Sequence, residues 1–404
     1  MSYFEDVNIK WQDTGNVDAF GRARVSQVTT QYDSKQVYDK LPLFVDEVLN
    51  GSATATHSTT LAQTALATTS SGDYAIMQTK QRFNYQSGKS QLLFWTFNNM
   101  DNQAGVNKKV GYFSSSTSAP YTANLDGIFL QSDGTNLSVN IYRTGTAVSS
   151  VNRSSWNDPL DGTGDSGVTH DFDDNTIMAV DFEWLGVGRV RFYVVKDGAF
   201  IPFHSVGFTN TTNVYMSSPN KPLRWELRQN AVTAGSLNLI CASVNSEGSL
   251  NQIGKLFSSN VGTSFINANN TSNKYAVLGI RLNSANVGTM VDLLTLSLLS
   301  ATNDNVLWEV WLNPTVAGTF TYNSVTNSGV QVAKGSTGGT NTVTGGTLLD
   351  SGYMVAQNSV RLSIENAIRL GMDLDGTLDT IVLTANPLSS NLDIYGSITW
   401  RELI

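Results

Sequence analysis

The stretch Gly188-Arg189-Val190-Arg191-Phe192-Tyr193-Val194-Val195-Lys196-Asp197-Gly198-Ala199-Phe200-Ile201-Pro202-Phe203-His204 holds two runs of β-branched and aromatic residues on either side of an Asp-Gly pair. Glycine tolerates the positive φ of a tight turn, so the stretch reads as two antiparallel strands. A second hairpin follows the same grammar, Gly127–Gln131, then Ser132-Asp133-Gly134-Thr135-Asn136, then Leu137–Tyr142. Further alternating runs lie at Ala75–Phe83, Gln91–Phe97, Lys109–Phe113, Thr176–Trp184 and Leu223–Arg228. No stripe at i, i+3, i+4, i+7 accompanies them, which predicts an antiparallel sandwich over 49–230. The pattern resumes at Ala276–Leu282, Met290–Ser300, Leu307–Leu312, Gly318–Tyr322, Tyr353–Ile364, Thr380–Ala385 and Leu392–Trp400. The expected fold is therefore all-β: an extended N-terminal arm (1–48), a jelly-roll-like sandwich (49–230) and a second sandwich (231–404). The Gly- and Thr-rich stretch 335–347 reads as a long flexible loop or hairpin tip because it offers little side chain to bury, and 51–72 is similar in composition.

Composition restricts what such a molecule does. Only 14% of the 404 residues are charged, about half the usual share, so the surface is wetted by Ser, Thr, Asn, Gln and Gly. Hydrophobic residues reach 40%, enough for real cores. The 25 basic and 33 acidic residues give a net charge of -8, with no basic footprint for nucleic acid. The single cysteine, Cys241, excludes an internal disulfide framework and sits among apolar residues, which predicts a buried small hydrophobe. The start, Met1-Ser2-Tyr3-Phe4-Glu5-Asp6, has no basic and apolar leader pattern, and no run of 18 apolar residues exists. Synthesis in a cytoplasm without a membrane span is the expectation.

The arm mixes charge with aromatics more densely than the rest. It is too short for its own core, so it must pack on its own sandwich or on a neighbouring subunit. Its docking candidates are Trp11, Phe20, Arg22, Arg24, Tyr32, Lys35 and Tyr38.

Within it, Asp18-Ala19-Phe20-Gly21-Arg22-Ala23-Arg24-Val25-Ser26 and Tyr32-Asp33-Ser34-Lys35-Gln36, together with Arg82-Phe83-Asn84-Tyr85-Gln86-Ser87-Gly88-Lys89-Ser90, resemble a group of virion structural proteins of tailed bacteriophages. The resemblance spans roughly the first hundred residues and implies a particle component, located in the virion after assembly in the host cytoplasm. Residues 49–230, with Leu92-Leu93-Phe94-Trp95-Thr96-Phe97 and Asp181-Phe182-Glu183-Trp184, resemble concanavalin-like jelly rolls, a fold that hosts lectins, glycosidases and inert spacers alike.

Asp181 and Glu183, two apart on a strand, project to one face, as a retaining glycosidase pair must. The third acidic position implied by the resemblance falls on Ala179 or Leu185, so solvent-facing carboxylates opposite buried Phe182 and Trp184 are expected. The Gly-rich loop 157–175 carries Asp158, Asp161, Asp165, Asp171, Asp173 and Asp174; calcium is the one cofactor weighed, with Asp161, Asp165, Asp171 and Asp173 as candidate ligands, against a solvated acidic loop. Trp156 beside it is the candidate platform for a host surface glycan, whereas Trp95, Trp184, Trp308 and Trp311 read as core. Met372-Asp373-Leu374-Asp375-Gly376-Thr377 resembles the first motif of haloacid-dehalogenase phosphatases, yet too little chain follows to complete such a site, so it reads as an Asp-Gly turn. Gly88-Lys89-Ser90 lacks the glycine of a phosphate loop, since that position is Phe83, and reads as a turn before a strand. His57, His170 and His204 share no metal spacing.

These readings predict a non-enzymatic structural protein, a homo-oligomer of three or more copies that packs onto other virion proteins. A carbohydrate-binding adhesin or weak glycosidase is the alternative.

Overall fold

The computed structural model describes residues 15–231, 233–249, 253–363, 369–389 and 391–403. It divides into two compact units, Met1–Thr79 with Tyr85–Asn251, and Lys80–Asn84 with Gln252–Ile404. Both are antiparallel β-sandwiches, and the described residues contain no helix long and apolar enough to cross a membrane.

In the first unit one sheet runs Ala199–Gly207, Arg189–Lys196, Thr176–Phe182, Ser90–Asn98, Gly235–Glu247, Gln63–Thr68, Thr54–Ser58, with Val28–Lys35 also paired to Gly235–Glu247. The facing sheet runs Thr146–Asn152, Leu137–Arg143, Asp126–Ser132, Val106–Ser114, Leu223–Gln229, Tyr74–Thr79, Val45–Asn50. The jelly-roll core lies between them. Phe182 of the first sheet meets Tyr112 of the second with ring centroids 5.7 Å apart, and Trp95 and Phe97 are fully buried beside them. Each such side chain contributes about 2–3 kcal/mol by leaving water. Asp197 and Gly198 turn the leading hairpin with φ of 52° and 79°, the two positive angles that match its twist.

The second unit sets Lys255–Asn260, Leu392–Leu403, Met290–Ser300 and Ser359–Ser363 in one sheet, with Ile266–Ala268 added to Leu392–Leu403. Its other sheet is built on Lys274–Leu282, Thr380–Pro387, Val306–Leu312 and Thr347–Met354. Alternating Ile394, Ile398 and Trp400 fill the space between with Leu278, Leu298 and Leu383.

Several boundaries differ from the sequence reading. The break between units falls after Asn251 and not after Asn230, because Gly235–Glu247 pairs along its length with Ser90–Asn98 at the centre of the first sandwich. The arm is not a separate element either: Val28–Lys35 pairs with Gly235–Glu247 and Val45–Asn50 with Tyr74–Thr79. The stretch 51–72 contains the paired strands Thr54–Ser58 and Gln63–Thr68. Within 335–347, Thr342–Thr344 pairs with neighbours on both sides and buried Asn341 donates to Ala317 O and Thr319 O, so polar side chains order what apolar ones do not. Gly318–Tyr322 forms no strand; Phe320 and Tyr322 instead lie over Gly279, where a Cβ would come within 2.7 Å of the Phe320 ring and of the Tyr322 hydroxyl. The run Tyr353–Ile364 is broken, with strands at Thr347–Met354 and Ser359–Ser363, and Ile364 lies outside the described residues.

Candidate functional site

Asp181 projects from the outer face of the first sheet, opposite core-facing Phe182, yet it is completely buried rather than solvent-facing. Arg191, its cross-strand neighbour, donates Nε and Nη2 to the two carboxylate oxygens at 2.9 and 2.5 Å. Arg24 donates Nη2 to the same carboxylate and Nε to Glu247 at 2.6 Å. What closes this face is the segment 15–24. Arg191 Nη2 donates to Val17 O at 2.8 Å, Arg189 to Ala19 O at 3.1 Å, and Ala19 N to Ser90 Oγ at 3.3 Å. Gly15 sits so near Phe200 that a Cβ would lie 2.3 Å from that side chain. Burial pushes the Asp181 carboxyl up to about 6 against the pull of the two guanidiniums. Glu183, half-buried, is also raised by burial. The pair therefore has unequal settings: one carboxylate is tied into an ionic clamp and only the other reaches solvent.

The docking candidates separate accordingly. Arg24 is an internal clamp, with its guanidinium also over Phe200 at 5.1 Å, and Tyr32 is a buried strand residue, so neither offers itself to a partner. Arg22 bonds Asp18 and Gly88 O, with Phe20 stacked under it at 4.7 Å, while its side chain stays 52% exposed. Lys35 is exposed beside Asp33, and Tyr38 is 88% exposed. Trp11 lies outside the described residues.

A cleft of about 490 Å³ opens beside the acidic loop, lined by Asn157, Asp158, Asp165, Ser166, Arg191 and the strand segment Pro202–Ser205. The loop is ordered by Arg153, which donates to Pro159 O, Leu160 O and His170 O at 2.7–2.9 Å. Trp156 is buried, donates Nε1 to Val151 O and packs on Phe203 at 4.5 Å, so it is core and not a sugar platform. Its neighbour Asn157 reaches the cleft in its place. His204 Nδ1 accepts from Asn157 N at 3.3 Å, which puts the ring proton on Nε2, and burial lowers the imidazole pKa. The calcium candidates do not gather. Among the described residues no group of three or more acidic, His or Cys side chains is placed to hold an ion. Asp161 instead accepts from Thr163, and Asp171 from Asp173 N, so these two carboxylates close their own turns.

The facing sheet carries an ionic cluster that sequence reading missed. Glu226, fully buried, accepts from Lys109 Nζ at 2.9 Å and Arg228 Nε on Oε1, and from Arg224 Nη2 at 2.7 Å on Oε2. Burial would raise this carboxyl, but the three cations hold it well below the usual range. The i, i+2 spacing of Arg224, Glu226 and Arg228 in an alternating strand was the available signal.

The remaining motifs resolve as turns and packing. Asp373 N donates to Thr377 O and Gly376 N to Asp373 O, an Asp-Gly turn, with Lys80 Nζ 2.9 Å from Asp373. Lys89 N donates to Gln86 O in the turn before Ser90–Asn98. His57 meets Gln36 O, and His170 meets Thr176. Cys241 is half-buried rather than buried, its thiol raised by burial. Trp95 and Trp308 are core, whereas Trp184 and Trp311 are partly exposed, Trp311 beneath Lys274 at 3.6 Å.

No family model and no curated protein matches the chain. Among solved structures it is similar to a β-glucanase of Bacillus licheniformis, at 13% identity and TM-score 0.36 over 53% of this chain and 96% of that one. It is also similar to the Emp47p carbohydrate recognition domain (13%, 0.34, 54% and 96%) and to a legume lectin-like domain from Entamoeba histolytica (9%, 0.31, 49% and 89%). These neighbours include both carbohydrate-binding and glycoside-hydrolysing jelly rolls, and identities this low carry no chemistry from either to this chain.

Proposed function

We propose that this protein is a non-enzymatic structural component of a tailed-phage virion, working as a homo-oligomer that packs onto other virion proteins. The observation that carries the non-enzymatic part is the clamp at Asp181: one of the two carboxylates that a glycosidase pair would need is closed over by the chain's own Gly15–Arg24 segment. A nucleophile bonded by two guanidiniums under a covering segment has no approach for a sugar ring. What the chain offers outward instead is low charge and exposed apolar side chains, with Val25 at 90%, Tyr38 at 88% and Leu61 at 63%. The virion assignment rests on the resemblance of residues 18–36 and 82–90. Light scattering of the purified full chain tests the assembly, and particle imaging with the chain traced tests the location. A monomer at micromolar concentration that is absent from purified particles would overturn the reading.

A second reading, a carbohydrate-binding adhesin, is supported by the cleft beside the acidic loop. Carboxylate, amide, hydroxyl and imidazole groups converge there next to Pro202 and Phe203, which suits a polyhydroxylated ligand. It predicts glycan-array binding that weakens about tenfold on Asp165→Ala or His204→Ala. Binding indifferent to both would remove the cleft from consideration.

A further inference from the structure

The cleft beside the acidic loop has a sign of charge as well as a shape. Of its two carboxylates, Asp158 is buried and spent on the loop, accepting from Leu160 N at 3.0 Å and Ser166 N at 2.8 Å. Asp165 is exposed and lines the same space, and among the described residues it accepts no hydrogen bond and joins no ion pair. The nearby cations are committed elsewhere. Arg191 also lines the cleft, but its Nε and Nη2 are held by Asp181. With Arg24 and Glu247 it forms a cluster of two guanidiniums and two carboxylates, whose charges cancel. Arg153 turns to the carbonyls of Pro159, Leu160 and His170, and its charge acts on Asp161. His204 brings a directed donor and no charge. The residue is only 9% exposed, burial favours the neutral ring, and Nδ1 already accepts from Asn157 N at 3.3 Å. The remaining Nε2–H has no acceptor among the described residues, on a side chain that lines the cleft. The space thus presents one open carboxylate and one neutral N–H donor within about 490 Å³, in the size range of small-ligand clefts.

We propose that this cleft selects its sugar by charge, taking an amino sugar with a free, protonated amine ahead of a neutral sugar and rejecting a uronic acid, with Asp165 as the residue that sets the order. The ammonium pairs with Asp165, and a ring hydroxyl accepts from His204 Nε2–H. A sugar carboxylate meets the Asp165 charge instead, with Asp158 beside it and the one lining guanidinium already bonded to Asp181. This selectivity rests on the adhesin reading, in which the cleft holds a sugar at all. No bond is made or broken.

The test is calorimetric titration of the full chain with the tetramers of glucosamine, N-acetylglucosamine and galacturonic acid, at about pH 6.5 and about 0.05 M salt, where the amines are largely protonated and charge is weakly screened. The glucosamine tetramer should bind about fivefold more tightly than the N-acetylglucosamine tetramer, with the galacturonic acid tetramer weakest. Asp165→Asn should bring the first two within about twofold of each other. Asp350→Asn, which removes an exposed charge on the second unit, should leave the order unchanged and so separates the cleft from the net charge of the chain. His204→Phe should weaken the first two alike, by about threefold or more, because it removes a hydroxyl bond and no charge. Asp165 is exposed, so Asp165→Asn keeps its circular-dichroism signature and decides even where His204→Phe does not fold. No binding of any of the three tetramers to the wild type overturns the adhesin reading and this selectivity with it. Binding in which the three are equal, the uronic acid leads, or the preference for the amine survives Asp165→Asn overturns the charge selection alone.

Discussion

Arg24 joins Asp181 to Glu247 while Arg191 holds Asp181 from the other side, so removing Arg24 leaves Asp181 with half its compensation and takes the guanidinium from buried Glu247 as well. Arg24→Ala is expected to cost about 2 kcal/mol, less than a fully buried pair because the Arg24 side chain is 15% exposed. Urea unfolding measures the loss, and hydrogen exchange should quicken at Ala19 and Arg22, whose amides bond Ser90 and Asp18. A change under about 0.5 kcal/mol with unchanged exchange would mean that the covering segment is held by packing alone. Glu226 gives the complementary case. Glu226→Gln leaves Lys109, Arg224 and Arg228 facing a neutral amide, a cost of about 3–5 kcal/mol. Its carboxyl pKa is depressed in the folded state, so its stabilisation is present above the ordinary carboxylate pKa and is lost as pH falls toward the folded value. Between pH 5 and pH 3 the wild type should therefore lose stability more steeply than Glu226→Gln, and parallel curves in acid titrations of the unfolding midpoint would refute the assignment. Asp181 runs the other way: with its folded pKa raised to about 6, it takes up a proton on folding between about pH 4 and 6 and opposes the trend there.

Strands that alternate strictly were legible in the sequence, and Met290–Ser300 was read with both ends correct because Leu293, Leu296 and Leu298 face one core. Gly235–Glu247 was legible as apolar text but not as a member of the first sandwich, because nothing local records that a strand returns to pair with Ser90–Asn98. Thr54–Ser58 and Gln63–Thr68 were missed for a different reason. Apart from His57 and buried Leu66 their side chains are Thr, Ser, Ala and Gln, and ladder bonds and Gln36, which accepts from Thr64 Oγ1 at 2.7 Å, help to hold them. The site was less legible still, since Arg24, which ties Asp181 to Glu247, comes to them from far away in the chain. Glycosidase-like spacing was visible, but its cover was not. A consequence at this level is that a chain ending at Asn230 lacks the strand that bridges Ser90–Asn98 to Gln63–Thr68, and exposes the edges of both. It is expected to aggregate, whereas a chain ending at Asn251 keeps the strand and should show greater solubility and a cooperative melt. Equal behaviour of the two truncations in expression and calorimetry would refute a central role for Gly235–Glu247.

For the molecule entire, the question is what a surface so poor in charge is for. A monomer gains solubility from net charge and from breaking up apolar patches, and this chain has only 14% charged residues. Its exposed large apolar side chains recur through residues 25–61, where Val25, Val28, Val37, Tyr38, Leu43 and Leu61 lie around the edge strands of the first unit. Exposed edges invite pairing, and neutral polar neighbours make contacts that salt does not screen. Assembly through this region therefore predicts an oligomer whose mass in light scattering is unchanged between about 0.05 and 0.5 M salt, since little of its interface is ionic. Val25→Asp with Tyr38→Asp should shift it toward monomer by at least about tenfold in dissociation constant, because each carboxylate would have to be desolvated at the proposed contact. The thermal midpoint of the dissociated chain should stay within a few degrees of the wild-type protomer, as both side chains make little contact within it. A double variant that remains fully assembled would place the interface elsewhere, and an assembly that falls apart at high salt would show that charge, not neutral polar and apolar surface, holds the copies together.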